Sequence, residues 1–387
     1  MELDADVIVV GIGTMGSQAL WQLAARGLKA LGIEQFEPGH ERGSGHGGSR
    51  IFRTAYMEGQ EYVPLLKSAY GLWRRLERES GADLLTLTGA LSIGAPDTRF
   101  IAGALASVRA HDLDHELLST RQLRERYPLH VVADDEVGLL DVVAGVLRPE
   151  DAIKAAARRA EELGATIVRN APVDSITPGD TVAVRAGGRT YRARHLVVSA
   201  GAWLGRVQPD LGLAFPLIVY RVVMTWFRPD SPASFAPDRF PIFLRERGTL
   251  EWDGFPCMDG ETVKVLATTK IPVDDPSQLD RNIRREDLEK PEYVVREFLR
   301  GVDPTAIRAQ ACMLTFTPDE HFIVGPSPRH GNVVVLGGFS GHGYKFAPLM
   351  GEIAADLVTE GRTSHPIELF RPARFAAHEA QSVAEPA

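Results

Sequence analysis

The chain has 387 residues, enough for two or three domains at roughly 100–200 residues each. A hydrophobic fraction of 44% beside 24% charged residues excludes a largely disordered chain, and no apolar run approaches the roughly 18 residues of a membrane helix. The net charge of −8 argues against nucleic acid as a partner. Two cysteines, Cys257 and Cys312, leave little room for a disulfide framework and exclude a cysteine-built zinc or iron–sulfur centre within the chain. No metal site is expected.

The acidic start, Met1 to Asp6, has no basic region and no separate apolar region, so no signal peptide is expected and the location reads as cytoplasmic. Val7 to Val10 reads as a buried strand. Gly11-Ile12-Gly13-Thr14-Met15-Gly16 follows, then a helix with Met15, Ala19, Leu20, Leu23 and Ala24 at its spacing, stopped by Gly27. Ala30 to Ile33 is a second strand, ending in Glu34 and Gln35. Strand, glycine turn, helix, strand and an acid about 20 residues on is a dinucleotide-binding unit. Gly11 suits the tight turn, Gly13 the approach of a pyrophosphate and Gly16 close helix packing, while Glu34 suits a ribose. A merely structural glycine turn is the alternative.

The loop from Arg42 to Arg50 is glycine-rich and reads as non-helical. Its amides, with Arg50 and Arg53 flanking Ile51-Phe52, suit a polyanionic cofactor or a ring that becomes anionic. Helices are predicted over Tyr62–Arg78 and, preceded by Arg148-Pro149-Glu150, through Ala152, Ala155, Ala156, Ala160 and Leu163, with strands within Thr86–Gly94. Thr166–Val168 reads as a strand ending near Val173. A hairpin of Val182–Val184 and Thr190–Ala193 precedes a separate buried strand over Leu196–Ser199, which enters the turn at Gly201 to Trp203. Strand-like pieces rich in Trp, Phe and Pro then run from Leu217 to about Pro304, with one helix near Arg285–Leu299. Asn332–Leu336 is a strand, and the glycine loop Gly337–Gly343 leads into a helix opened by Tyr344-Lys345-Phe346 and ended by Gly361. Gln381 to Ala387 reads as a loose polar tail. The fold class is α/β: a Rossmann-like, discontinuous nucleotide-binding domain and a substrate domain on a mixed or antiparallel sheet.

The glycine motif, the loop Ser44 to Arg53, Cys312-Met313, Asp319 to Ile323 and Gly338 to Phe346 together resemble monomeric sarcosine oxidase and N-methyltryptophan oxidase, flavoprotein amine oxidases of the glutathione-reductase-like class. The resemblance spans nearly the whole chain. It implies an FAD-binding domain over 1–85, 146–216 and 320–387, and a substrate domain over 86–145 and 217–319. It implies FAD contacts from Gly11, Ile12, Gly13, Thr14, Met15, Glu34, Gln35, Ser44, Ser49, Arg50, Val173, Ser199, Gly201, Trp203, Cys312, Met313, Phe339, Gly341, Gly343 and Lys345. Cys312 matches the cysteine that carries FAD as an 8α-thioether; on composition alone inert burial is the alternative. Cys257 matches no such position and reads as structural.

Arg53 and Lys345 match the pair that holds the substrate carboxylate, by a guanidinium fork and a point charge; a pair of surface charges is the alternative. Lys264 matches the lysine that promotes oxygen reduction, against the plainer reading of a solvated strand lysine. His46 and Arg50 match residues beside the flavin, although His46 also reads as a structural histidine. His342 receives no chemical role. Asp253 and Leu314 replace two tyrosines common around the substrate, and Thr268 replaces a histidine four places after the lysine. The resemblance therefore implies an oxidase of secondary amino acids, N-alkyl or cyclic, that yields an imine and hydrogen peroxide, works as a monomer and has molecular oxygen as its other partner. A flavin dehydrogenase passing electrons to a partner and a non-catalytic nucleotide-binding regulator remain as alternatives.

Overall fold

The computed structural model describes residues 3–375; the tail Gln381–Ala387 lies outside them. The strand Ala5–Val10 alternates its side chains between two cores: Val7 and Val9 pack on one face of the sheet, Ile8 and Val10 on the other. That double burial is why the run is apolar at successive positions. Its neighbours are parallel. Ala30–Ile33 and Thr166–Val168 extend the sheet on one side, and Arg189–Val198 and Val333–Gly337 extend it on the other. Three helices, Thr14–Ala25, Pro149–Glu162 and Ala347–Glu360, cover one face.

Two expectations change here. Thr166–Val168 stops at Val168, and a new strand begins at Val173 and turns into an antiparallel hairpin. Thr190–Ala193 and Leu196–Val198 are one strand, Arg189–Val198. Its first half pairs with Val182–Ala186, its second half with Val333–Gly337, and Ala5–Val10 runs along its other edge. A single strand serving a hairpin and a parallel core cannot be read from local periodicity.

The second large sheet is mixed. All its pairings are antiparallel except that between Ile242–Arg247 and Ala90–Gly94. The long strand Val302–Phe316, not singled out from the sequence, pairs along Ile218–Pro229 and carries Cys312. A small antiparallel sheet of Arg50–Phe52, Gly145–Leu147 and Leu85–Leu87 joins the two. The helix Val63–Ser80, expected over Tyr62–Arg78, packs on the first core.

Candidate active site

The glycine turn is shaped by contacts that no side chain could tolerate. Gly11 has φ +84°, and a Cβ there would lie 2.7 Å from the Ser199 carbonyl oxygen. A Cβ on Gly16 would lie 1.8 Å from the Gly11 oxygen. Ser199 Oγ donates to the Gly11 carbonyl at 2.7 Å, stapling the turn to the next strand. Gly13 differs: nothing lies within 4 Å of a Cβ built on it, and it lines the main cavity. The helix Thr14–Ala25 begins there with no side-chain cap, so its first N–H groups face open space. Glu34 closes the other side, accepting from the Ile12 N–H at 2.7 Å and the Phe36 N–H at 3.0 Å.

This cradle opens into one cavity of about 810 Å³ that runs between the two large sheets. The far wall is a face of the mixed sheet. In the register, Asp253 stands opposite Leu266 and Phe255 opposite Lys264, so the pleat brings all four side chains to one face. Trp226 pairs with Lys264, and Cys312 with Val222, continuing that face. Cys312 is a buried free thiol 4.0 Å from the Gly43 carbonyl oxygen, under the glycine-rich loop. Lys264 is buried; its Nζ donates to the Gly47 carbonyl at 2.8 Å and to Ser49 Oγ at 3.1 Å. Burial, reinforced by Arg50, holds its pKa well below the usual lysine range.

Arg53 and Lys345 meet at the end of the cavity. Arg53 Nη2 reaches both oxygens of Glu58, at 2.6 and 2.7 Å, and Lys345 Nζ donates to the His342 carbonyl at 2.7 Å. Burial and the Arg53 charge push Lys345 down to about 7. Burial alone would raise Glu58, but Arg53, His342 and Lys345 outweigh it and hold its pKa at about 2. His342 bonds the Tyr56 hydroxyl through Nδ1 at 2.6 Å, and burial keeps it neutral with a pKa of about 4. Arg50 is tied to the loop it follows, donating to the carbonyls of Ser44 and Ser49 at 2.6 and 2.8 Å.

Most of the expected residues line this one cavity: Gly11, Gly13, Thr14, Met15, Glu34, Gln35, Ser44, Ser49, Arg50, Arg53, Val173, Ser199, Gly201, Trp203, Lys264, Cys312, Phe339, Gly341, Gly343 and Lys345. Three do not. Ile12 is buried on the sheet side of the turn, and only its N–H reaches Glu34. Met313 alternates with Cys312 and packs against Ala202, Val219 and Leu279 on the opposite face. His46 is fully buried within the loop, with the Gln310 side chain as its polar neighbour. Burial drives its pKa to about 3, so it is neutral.

Sequence reasoning missed the residues that hold this site in place. Glu150 accepts from the N–H groups of Gly47 at 2.6 Å and Gly48 at 3.2 Å. Arg281 donates to the carbonyls of Glu41, Arg42 and Ala311, tying the glycine-rich loop to the strand of Cys312. Glu58 and Tyr56 complete the group around Arg53. Only the position of Glu150 at the start of a helix gave any signal.

Residues 6–357 match the family model described as FAD dependent oxidoreductase, and the chain belongs to that family. It is 40% identical to the monomeric sarcosine oxidase of Streptomyces avermitilis over 96% of this chain and 98% of that protein. It is 34% identical to the N-methyl-L-tryptophan oxidase of Salmonella arizonae, over 96% of this chain and 99% of that one. Among solved structures, NikD, an amino acid oxidase of nikkomycin biosynthesis, superposes with a TM-score of 0.86 at 26% identity, covering 96% of this chain and 98% of that one. The cavity fits FAD on its own terms: an uncapped helix start and an open Gly13 at one end for the pyrophosphate, and a wall of Lys264, Phe255 and Cys312 at the other.

Proposed function

We propose that the chain oxidises secondary amino acids, N-alkyl or cyclic, to imines with oxygen as acceptor, releasing hydrogen peroxide. One observation carries this reading: a pair of buried cations, Arg53 and Lys345, opens into the same cavity as the nucleotide cradle, Cys312 and the buried Lys264. FAD, when bound, supplies the two-electron redox chemistry; the protein supplies position and charge. Cys312 holds FAD covalently through its sulfur.

Arg53 and Lys345 bind the substrate carboxylate. Arg53 must then share or leave Glu58, and Lys345 gains a proton as the anion arrives. The buried cavity excludes water from the reacting carbon. Lys264 serves oxygen: its ammonium form, held in place by Gly47 and Ser49, needs no reorganisation to stabilise developing negative charge, and that charge in turn favours the protonated lysine. Arg50, anchored to the glycine-rich loop, adds positive charge on the same side. Residues 1–85, 146–216 and 320–387 form the FAD-binding domain and 86–145 and 217–319 the substrate domain, a division supported by which sheet each strand joins. We further propose a cytoplasmic monomer; among the described residues no helix is long and apolar enough to cross a membrane.

The test is peroxide release from the FAD-loaded protein with sarcosine, other N-methyl amino acids, proline and pipecolate. Peroxide from at least one of them, lost in Arg53→Met, is the expected result. No release from any, with flavin content normal, would sink the reading.

A further inference from the structure

We propose that Asp253 receives the amine of the substrate, so that the cavity selects zwitterionic amino acids over simple carboxylates. The inference rests on the reading that Arg53 and Lys345 hold the carboxylate, and it assigns the other charge of the same molecule.

Asp253 lies on the strand Leu250–Phe255 and shares its sheet face with Lys264 and Leu266. It lines the cavity. Four cations act on it: Lys264, Arg50, Arg53 and Lys345. None of them donates a hydrogen bond to it. Lys264 donates to Gly47 and Ser49, Arg50 to Ser44 and Ser49, Arg53 to Glu58 and Ala55, and Lys345 to His342. Asp253 makes no side-chain hydrogen bond among the described residues. Glu58, the other acid near the carboxylate anchor, is taken by Arg53.

The Asp253 carboxylate faces the cavity with no donor from the protein, so a ligand that enters can bring one. Leu244 and Leu266, its partners on the two neighbouring strands, pack with Ile51 and Met57, so Asp253 stands between Lys264 and the segment that carries Arg53. The group attached to the same carbon as the substrate carboxylate is the ammonium. A zwitterion therefore satisfies Arg53, Lys345 and Asp253 together, whereas a plain carboxylate meets an unpaired like charge. Burial raises Asp253 to about 6, and the four cations oppose that rise, so the group is mostly ionised at neutral pH.

The experiment compares wild type, Asp253→Asn and Asp253→Glu, all loaded with FAD. It measures kcat/KM for sarcosine and proline with oxygen present, and calorimetric Kd values for acetate and for sarcosine on anaerobic enzyme whose flavin has first been reduced with dithionite, so that sarcosine binds without being oxidised. Loss of one charge-assisted contact predicts a fall of about 10- to 150-fold in kcat/KM and in sarcosine affinity for Asp253→Asn. Acetate affinity should stay unchanged or tighten, and Asp253→Glu should retain part of the preference. Parallel loss of sarcosine and acetate binding, or unchanged sarcosine affinity, would overturn the inference. If Asp253→Asn does not take up FAD, Asp253→Glu against wild type carries the same comparison, and a sarcosine-to-acetate preference that it leaves identical overturns the inference. If wild type releases no peroxide from any secondary amino acid, the proposed function fails instead, and the calorimetric comparison still reports on Asp253.

Discussion

The two glycines Gly13 and Gly16 sit three residues apart in one motif, yet alanine at each should fail in a different way. At Gly16 a Cβ would lie 1.8 Å from the Gly11 carbonyl oxygen and 2.4 Å from Ser199 Oγ, where real contacts stay beyond 3.0 Å. The helix Thr14–Ala25 would have to retreat from the strand, but its other side is closed: Gly351 packs so tightly that a Cβ there would lie 2.5 Å from the Gln18 carbonyl carbon. Overpacking of this kind costs about 1–3 kcal/mol, and the upper part of that range applies because the facing atom is backbone. At Gly13 nothing lies within 4 Å and φ is −79°, although ψ −150° lies about 30° beyond the extended region favoured by alanine. Its new methyl would enter only the cavity. Gly13→Ala should therefore cost the apoprotein much less than Gly16→Ala does, because only the backbone ψ has to adjust, while flavin incorporation falls. Gly16→Ala should lose stability before any cofactor is added. Urea unfolding of both apoproteins, grown without riboflavin, reads the first quantity, and flavin absorbance per chain after loading reads the second. Equal destabilisation of the two apoproteins, or wild-type flavin loading in Gly13→Ala, would refute the assignment of packing to one glycine and ligand approach to the other.

Three further outcomes are expected. Flavin should stay with the wild-type chain after acid precipitation and should wash out of Cys312→Ala, with the peptide containing Cys312 heavier by the flavin in mass analysis only for wild type. Lys264→Met should slow flavin reoxidation by roughly 10²–10³, while substrate reduction of the flavin changes far less; stopped-flow mixing with oxygenated buffer reads this, and an unchanged rate would return Lys264 to a structural role. Acetate binding should weaken as pH rises through about 7, where Lys345 loses its proton in the ligand-free site. The sign follows from the charge: below that value the ammonium attracts the carboxylate, and above it the neutral amine does not. A binding profile flat across neutral pH, or one that Lys345→Arg leaves unaltered, would contradict it.

The sequence by itself determined the features whose causes are local. The run Val7–Val10, the glycine turn and the strand at Ala30–Ile33 are legible because sterics at Gly11, helical spacing and β-branching act over a few residues. Helix ends at Gly27 and Gly361 were legible for the same reason: each is a glycine in the left-handed region. The motif resemblance supplied Arg53, Lys264, Cys312 and Lys345 one at a time. Only the tertiary structure decided how they meet. Cross-strand register puts Asp253 on the face of Lys264 and turns Met313 away from it, and a shift of one residue would reverse both. Glu150 under Gly47 and Arg281 across three carbonyls join segments remote in the chain. So does the single strand Arg189–Val198, shared by a hairpin and a parallel core. Such pairings carry no periodic signature, because what selects them is the burial of charge and the closure of sheets, and both exist only once the chain has folded.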